Sequence, residues 1–283
     1  MGLLDDKVAI VTGGGGGLGR AAALALAAEG ARVLVNDTGA ARDGTSEGED
    51  VDADRAATVV EEIRAAGGTA EANVDDVSTT AGADGVVSAA LDAFGRLDVL
   101  VNHAGIRRDK TLRKVKEENF DAVLAVELKG ALFCIQRAAA VMVKQKEGGR
   151  IVNATGAAGL QGNFAQANYA AAQAGVYALT RTAAIELQKY AITVNAVAPI
   201  AKTRMTADLP MFQGMDTMTP EHVAPATLFL ASPLCGDRTG FVLAASGSRM
   251  YAFRVVETRG KFKDDNAPWT AAEIDEHWRA IVK

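Results

Sequence analysis

Val8-Ala9-Ile10-Val11-Thr12-Gly13-Gly14-Gly15-Gly16-Gly17-Leu18-Gly19 is the stretch on which the fold turns. An apolar run stops at glycines, and the chain from Arg20 to Glu29, rich in alanine and leucine, ends at Gly30. The apolar run predicts a strand buried on both faces. The run behind it predicts a helix with a glycine at its C-terminus. Arg32 to Asp37 reads as a second strand, so a βαβ unit is complete by residue 37. Glycines between strand and helix let the backbone approach a pyrophosphate, while the helix N-terminus offers N–H donors and partial positive charge. Gly13, Gly17, Leu18 and Gly19 are therefore expected to hold a dinucleotide. A merely flexible loop is the weaker reading, because strand and helix both flank the glycines. Asp37 stands at the end of the second strand. A carboxylate there accepts hydrogen bonds from both hydroxyls of the adenosine ribose and repels a 2′-phosphate, so NAD(H) is expected rather than NADP(H).

Working outward, Thr38 to Asp54 is polar, glycine-rich and acidic. It is too long for an ordinary strand-to-helix connection, so it is a functional loop or a mobile one. Helices are expected over Arg55 to Ala66 and Thr79 to Phe94, with strands at Thr69 to Val74 and Leu97 to Val101. A long helix follows from about Glu117 to Gln145, where Phe120, Val123, Leu124, Leu128, Leu132 and Ile135 recur at helical spacing. Strands at Ile151 to Ala154 and Ile192 to Val197 flank another long helix, Ala167 to Tyr190, and Phe241 to Ala245 makes a seventh strand. This alternation predicts an α/β fold: one Rossmann-type, doubly wound domain over residues 1–254 with a seven-stranded parallel sheet. Residues 255–283 form a charged extension. Within it, Thr270-Ala271-Ala272-Glu273 has the capping-box pattern, and Ile274, Trp278 and Ile281 share one face of a short helix.

A net charge of −5 argues against nucleic acid or an anionic membrane as the main partner. No apolar run approaches the roughly 20 residues that span a bilayer. The acidic N-terminus lacks a signal-peptide pattern. Cys134 and Cys235 lie far apart and match no metal-ligand spacing, so no metal is expected and both read as reduced thiols of a cytoplasmic protein.

Thr12-Gly13-x-x-x-Gly17-x-Gly19, Asn102-x-Ala104-Gly105 and Tyr169 at their mutual spacings resemble the short-chain dehydrogenase/reductase (SDR) family over about residues 5 to 250. Four stretches are similar to the (3R)-hydroxyacyl-CoA dehydrogenase part of multifunctional β-oxidation enzymes. They are Val35-Asn36-Asp37 with its long loop, Ala104 to Asp109, Gly162 to Tyr169, and Arg204-Met205-Thr206. The resemblance implies an NAD(H)-dependent oxidoreductase acting on a CoA thioester, assembled through the long helices as a dimer or tetramer. By position it places Asp75 or Asp76, with Val77, at the adenine. It places Asn102, Ala104 and Gly105 along the cofactor ribose, with Ile200 and Thr203 near the carboxamide or phosphates. Arg107, Arg108 and Lys110 either meet a CoA phosphate or form a solvated cluster, and His103, beside the cofactor, is more often structural than catalytic.

The family's reaction uses asparagine, serine, tyrosine and lysine. By position this chain keeps only Tyr169. Gln173 stands for the lysine, Gly156 for the serine and Glu127 for the asparagine, while Thr155 could supply a hydroxyl only if its loop shifted. An unperturbed tyrosine has a pKa near 10 and serves as a base best when a cation pulls it down. Gln173 carries no charge, and an ionised Glu127 would push the wrong way. Three readings follow. The chain is an NAD(H)-binding subunit, weak alone, paired with a catalytically complete paralogue; or an autonomous oxidoreductase on an acyl-CoA or steroid-like substrate using Tyr169; or a non-catalytic NAD(H)-responsive module.

Overall fold

Strand β1 (Val8–Thr12) is buried along its whole length and lies inside the sheet between β2 (Arg32–Asn36) and β4 (Val99–Asn102), parallel to both. The computed structural model describes residues 2–209, 217–264 and 267–283. Beyond β2 lies β3 (Thr69–Asn73), and beyond β4 come β5 (Gly149–Ala154), β6 (Ile192–Ile200) and β7 (Val242–Ser246). The strand order is β3-β2-β1-β4-β5-β6-β7-β8. The sheet is the doubly wound α/β sheet that the alternating pattern predicts, with two corrections. It has eight strands rather than seven, and it is not parallel throughout. The added strand, β8 (Arg249–Phe253), follows β7 after only Gly247 and Ser248, with Gly247 at φ +53°. A parallel pair needs a crossover of a dozen or more residues, so this pair is an antiparallel hairpin.

Alternation along β1 explains the two cores. Ala9 and Val11 face one side, with Val33 and Val35 of β2. There they meet Leu26 of α1 (Gly17–Ala28), Ile63 of α2 (Arg55–Ala65) and Leu230 of α8 (Ala224–Ala231). Val8 and Ile10 face the other side. They pack with Val86 of α3 (Thr80–Phe94), Met142 of α5 (Ala131–Gln145) and Ala184 of α7 (Ala167–Leu187). Side chains on a strand point alternately to opposite faces, so a continuous apolar run has to be covered on both.

The long helix expected from Glu117 to Gln145 is interrupted. After α4 (Glu117–Leu124), the segment Ala125–Gly130 is π-helical before α5 begins. A π turn is wider than an α turn and occurs often at functional sites; this one carries Glu127. Short α6 (Ala158–Gln161) precedes α7.

The chain divides into two units, Met1–Ala252 and Phe253–Lys283. Within the second, α9 (Ala271–Ile281) has both bonds of the expected capping box. Glu273 N–H donates to Thr270 Oγ1 at 3.3 Å, and Thr270 N–H donates to Glu273 Oε2 at 2.7 Å. No helix among the described residues is long and apolar enough to cross a membrane.

Where β1 passes into α1, a Cβ on Gly19 would overlap the carbonyl of Gly13. Gly19→Ala is therefore expected to lower unfolding stability by about 1–3 kcal/mol, read as a drop in the urea midpoint. An unchanged midpoint would show that the contact is not close.

Candidate active site

The loops at the C-terminal ends of β1, β2, β4, β5 and β6 converge on one groove. Gly13 has φ +64°, and a Cβ on it would stand 2.7 Å from the Ala104 nitrogen and the His103 carbonyl. Only glycine lets β1 and β4 approach this closely at such a φ. Gly17, at φ +49°, opens α1, and a Cβ there would meet the Thr203 methyl at 3.4 Å. Asp37 accepts from Gly15 N–H at 3.0 Å and from Gly39 N–H at 2.8 Å. Its carboxylate is thus anchored at the lip of the glycine cradle and keeps further lone pairs free. Thr12 Oγ1 accepts from the backbone of His103 and Ala104, both at 3.2 Å.

Asn36 links this lip to the loop after β3. Its Nδ2 donates to the Asp75 carbonyl at 2.9 Å, and Asp37 N–H donates to Asn73 O at 3.0 Å. Asp75 is held by Asn73 Nδ2 at 2.7 Å, whereas Asp76 is exposed and accepts from Ser78 N–H at 2.9 Å. Val77 is buried. Asn102 donates to Asn153 Oδ1 at 2.9 Å, and Asn153 donates to Thr180 at 2.9 Å. Asn102 Oδ1 is buried with no hydrogen-bond partner among the described residues. It borders a small cavity, also lined by Thr12, Glu127 and Ala154, with room for about one water. Ile200 ends β6, and Thr203 sits in a turn with Thr206, whose Oγ1 accepts from Thr203 N–H at 2.9 Å. A side-chain-free cradle at a helix N-terminus beside an anchored carboxylate fits a dinucleotide.

The proton-transfer half is built differently from the pattern that the spacing resembles. The π turn aims Glu127 at α7, where Gln173 Nε2 donates to Glu127 Oε2 at 2.8 Å. Ile106 N–H donates to Glu127 Oε1 at 3.2 Å, and a Cβ on Gly105 would stand 2.5 Å from that oxygen. The two replacements thus meet through one hydrogen bond. Burial pushes the Glu127 carboxyl up to about 8, opposed by the hydrogen bonds from Ile106 and Gln173. Gln173 is only 2% exposed, and its Oε1 has no partner among the described residues.

Tyr169 projects from the first turn of α7, its hydroxyl 2.9 Å from where a Cβ on Gly156 would be. A serine at 156 would require that hydroxyl to move by a few tenths of an ångström. Burial, then the charge of Glu127, then that of Asp109, raise the tyrosine well above its ordinary pKa. Burial leads, and Glu127 pushes in the direction expected of a nearby carboxylate, although its own pKa of about 8 leaves it mostly neutral at pH 7. Thr155 stands as the expectation requires, out of reach unless its loop shifts. Its hydroxyl is buried and donates to the Gln173 carbonyl at 3.1 Å, so it faces the helix rather than a substrate oxygen.

Two further groups resolve. His103 has an Nε2 that is buried without a partner among the described residues, and desolvation lowers its pKa to about 4, so it is neutral at physiological pH. Arg107 is engaged by Asp109 at 2.7 Å, Asp208 at 2.7 Å and the Met205 carbonyl at 2.7 Å. Arg108 donates to the Asp43 carbonyl at 2.6 Å. Both tie loops together; Lys110 is exposed. Sequence reasoning missed Arg55 as a groove residue, because a helix-starting arginine carries no motif. Its side chain lies against Gly15 and Gly16.

The family model described as short chain dehydrogenase matches residues 7–213. The chain belongs to this family. A short-chain type dehydrogenase/reductase of Mycobacterium tuberculosis is 47% identical, covering 99% of this chain and 95% of that protein. The hydroxyacyl-CoA dehydrogenase ChsB1 of the same organism is 40% identical, covering 96% and 87%. Peroxisomal multifunctional enzyme A of Dictyostelium discoideum is 38% identical over 98% of this chain, which spans only 60% of that protein's length. Among solved structures, a short chain dehydrogenase from Mycobacterium avium superposes with a TM-score of 0.85 at 42% identity, covering 99% and 96%. The chain is thus an SDR related to hydroxyacyl-CoA dehydrogenases, with the NAD(H)-binding fold of that family.

The Glu127 carboxyl gives a pH prediction. Its folded pKa, about 8, lies above the unfolded value of 4.5, so between these limits the folded state holds the extra proton. The stability linked to it is fully present below about pH 4.5 and is lost as pH rises through about 8. Glu127→Gln should flatten this part of the curve in urea unfolding measured from pH 5 to 9; an unchanged slope would show that Glu127 titrates normally.

Proposed function

We propose that this chain is the NAD(H)-binding subunit of a dehydrogenase acting on 3-hydroxyacyl-CoA or a similar CoA thioester, weak alone and paired with a catalytically complete paralogue in a dimer or tetramer. The observation that carries this reading is the Gln173–Glu127 hydrogen bond at 2.8 Å, where the family pattern has a cation and an asparagine. The substrate class rests on the sequence resemblance and on the relative named as a hydroxyacyl-CoA dehydrogenase.

The chain's own residues divide the work unevenly. Gly13, Gly17, Leu18 and Gly19 cradle the diphosphate, and Asp37 takes the adenosine ribose. Asp75 or Asp76, with Val77, would meet the adenine. Asn102, Ala104, Gly105, Ile200 and Thr203 line the rest of the cofactor. The bound nicotinamide supplies the hydride. Tyr169, kept protonated by its raised pKa, can give a proton to a ketone oxygen but is a poor base for taking one from an alcohol. With neither a serine hydroxyl nor a lysine, two contributions each worth roughly 10²–10³-fold are missing.

The test is NADH oxidation with acetoacetyl-CoA. The lone chain is expected to bind NADH and turn over at least about 100-fold more slowly than a variant restored by Glu127→Asn, Gly156→Ser and Gln173→Lys. In a complex with the paralogue, Tyr169→Phe in this chain should leave turnover unchanged. Fast turnover by the lone chain, abolished by Tyr169→Phe, would instead establish an autonomous enzyme.

A further inference from the structure

Two arginines from opposite walls of the groove meet above the glycine cradle. Arg55 comes from the start of α2. A Cβ on Gly15 would lie 2.6 Å from its Cγ, and one on Gly16 3.7 Å from its Cδ. Arg204 comes from the loop after β6, next to Thr203, whose methyl rests against Gly17. Arg204 Nη1 and Arg55 Nη2 donate to one and the same acceptor, the Asp50 carbonyl oxygen, at 3.1 and 2.9 Å. Sharing one oxygen at those lengths keeps the two nitrogens within about 6 Å of each other.

Their commitments differ. Arg55 also donates to the Ala40 carbonyl at 3.0 Å and lies 3.9 Å from Asp52, so it is built into the loop it holds. Arg204 is exposed, and among the described residues its one hydrogen bond is to Asp50 O, with no carboxylate in ion-pair contact. Burial and the neighbouring charges of Arg55 and Arg42 disfavour its charged form, while Asp50 and Asp37 favour it. Two guanidiniums converging on one neutral carbonyl form an arrangement that an anion relieves. Gly15 N–H is taken by the Asp37 carboxylate, and the anion that belongs beside Gly16 and Gly17 at a helix N-terminus is a diphosphate. A 2′-phosphate fits less well, because the Asp37 carboxylate holds the ribose end of the groove.

We propose that Arg204, with Arg55 beside it, binds the diphosphate of the dinucleotide: its guanidinium exchanges the Asp50 carbonyl for phosphate oxygens when the cofactor enters. This rests on the dinucleotide reading of the glycine cradle. It also gives the groove a cation at the diphosphate, in a chain that has Gln173 where its family pattern has a cation at the nicotinamide ribose.

Fluorescence titration with NADH tests it. Arg204→Gln should weaken NADH binding about tenfold or more, with a shallower dependence on salt, because a charge-assisted bond is lost. Displacement of NADH by ADP should weaken by the same factor, while displacement by adenosine, which has no phosphate, should not change. Arg204→Lys should recover most of the affinity, and both variants should melt with the wild type. Wild-type affinity in Arg204→Gln, or an equal loss for adenosine, would overturn the role of Arg204 alone. A wild-type chain that does not bind NADH would overturn the dinucleotide reading and this inference with it.

Discussion

Backbone against backbone, at the passage from β1 into α1, is the approach on which the rest of the molecule depends. Gly13 lies so close to the His103–Ala104 peptide, and Gly19 so close to Gly13, that a single Cβ at either would have to displace main chain. This packing brings the N-terminus of α1 to the end of the sheet and leaves a groove floor without side chains. The residues proposed to hold the cofactor are arranged around that floor. Asp37 reaches it through Gly15, Thr203 through Gly17, and Thr12 fastens the β4 loop beside it.

The other half of the groove is governed by one hydrogen bond. Gln173 and Glu127 are replacements by the standard of the family pattern, and they meet through one hydrogen bond: an amide donates to a carboxyl that burial keeps mostly neutral at pH 7, while Gln173 Oε1 has no partner among the described residues. A lysine at 173 beside an asparagine at 127 would put a cation near Tyr169. Here no cation stands at 173, and burial together with the charges of Glu127 and Asp109 raises the tyrosine. A buried polar pair is stable when each partner answers the other, and losing one partner alone costs more than exchanging both.

Around this floor, loops from distant parts of the chain are tied by arginines. Arg107 joins the β4 loop to Asp208 and the Met205 carbonyl, Arg108 reaches the Asp43 carbonyl, and Arg55 and Arg204 share that of Asp50. Guanidiniums at its carbonyls thus join its internal backbone bonds and the buried Ala41 in holding the long acidic segment 38–54.

Much of this was legible in the residues alone. Apolar runs ending in glycine determined the alternation of strand and helix, and the glycine spacing determined the cradle. These are local signals, set by side-chain periodicity and by the few residues that tolerate unusual backbone. The hairpin partner β8 was not legible, since an edge strand next to solvent needs no continuous apolar run. Nor was the π turn under Glu127, the burial that raises Tyr169, the helix-facing hydroxyl of Thr155, or the meeting of Arg55 with Arg204. Each depends on what lies across the groove from a residue, at separations of up to about 150 positions in the chain. The sequence by itself determined that this chain binds a dinucleotide and that its proton-transfer set is altered; only the tertiary structure decided how the altered residues meet, because desolvation and hydrogen-bond partners come from neighbours in space.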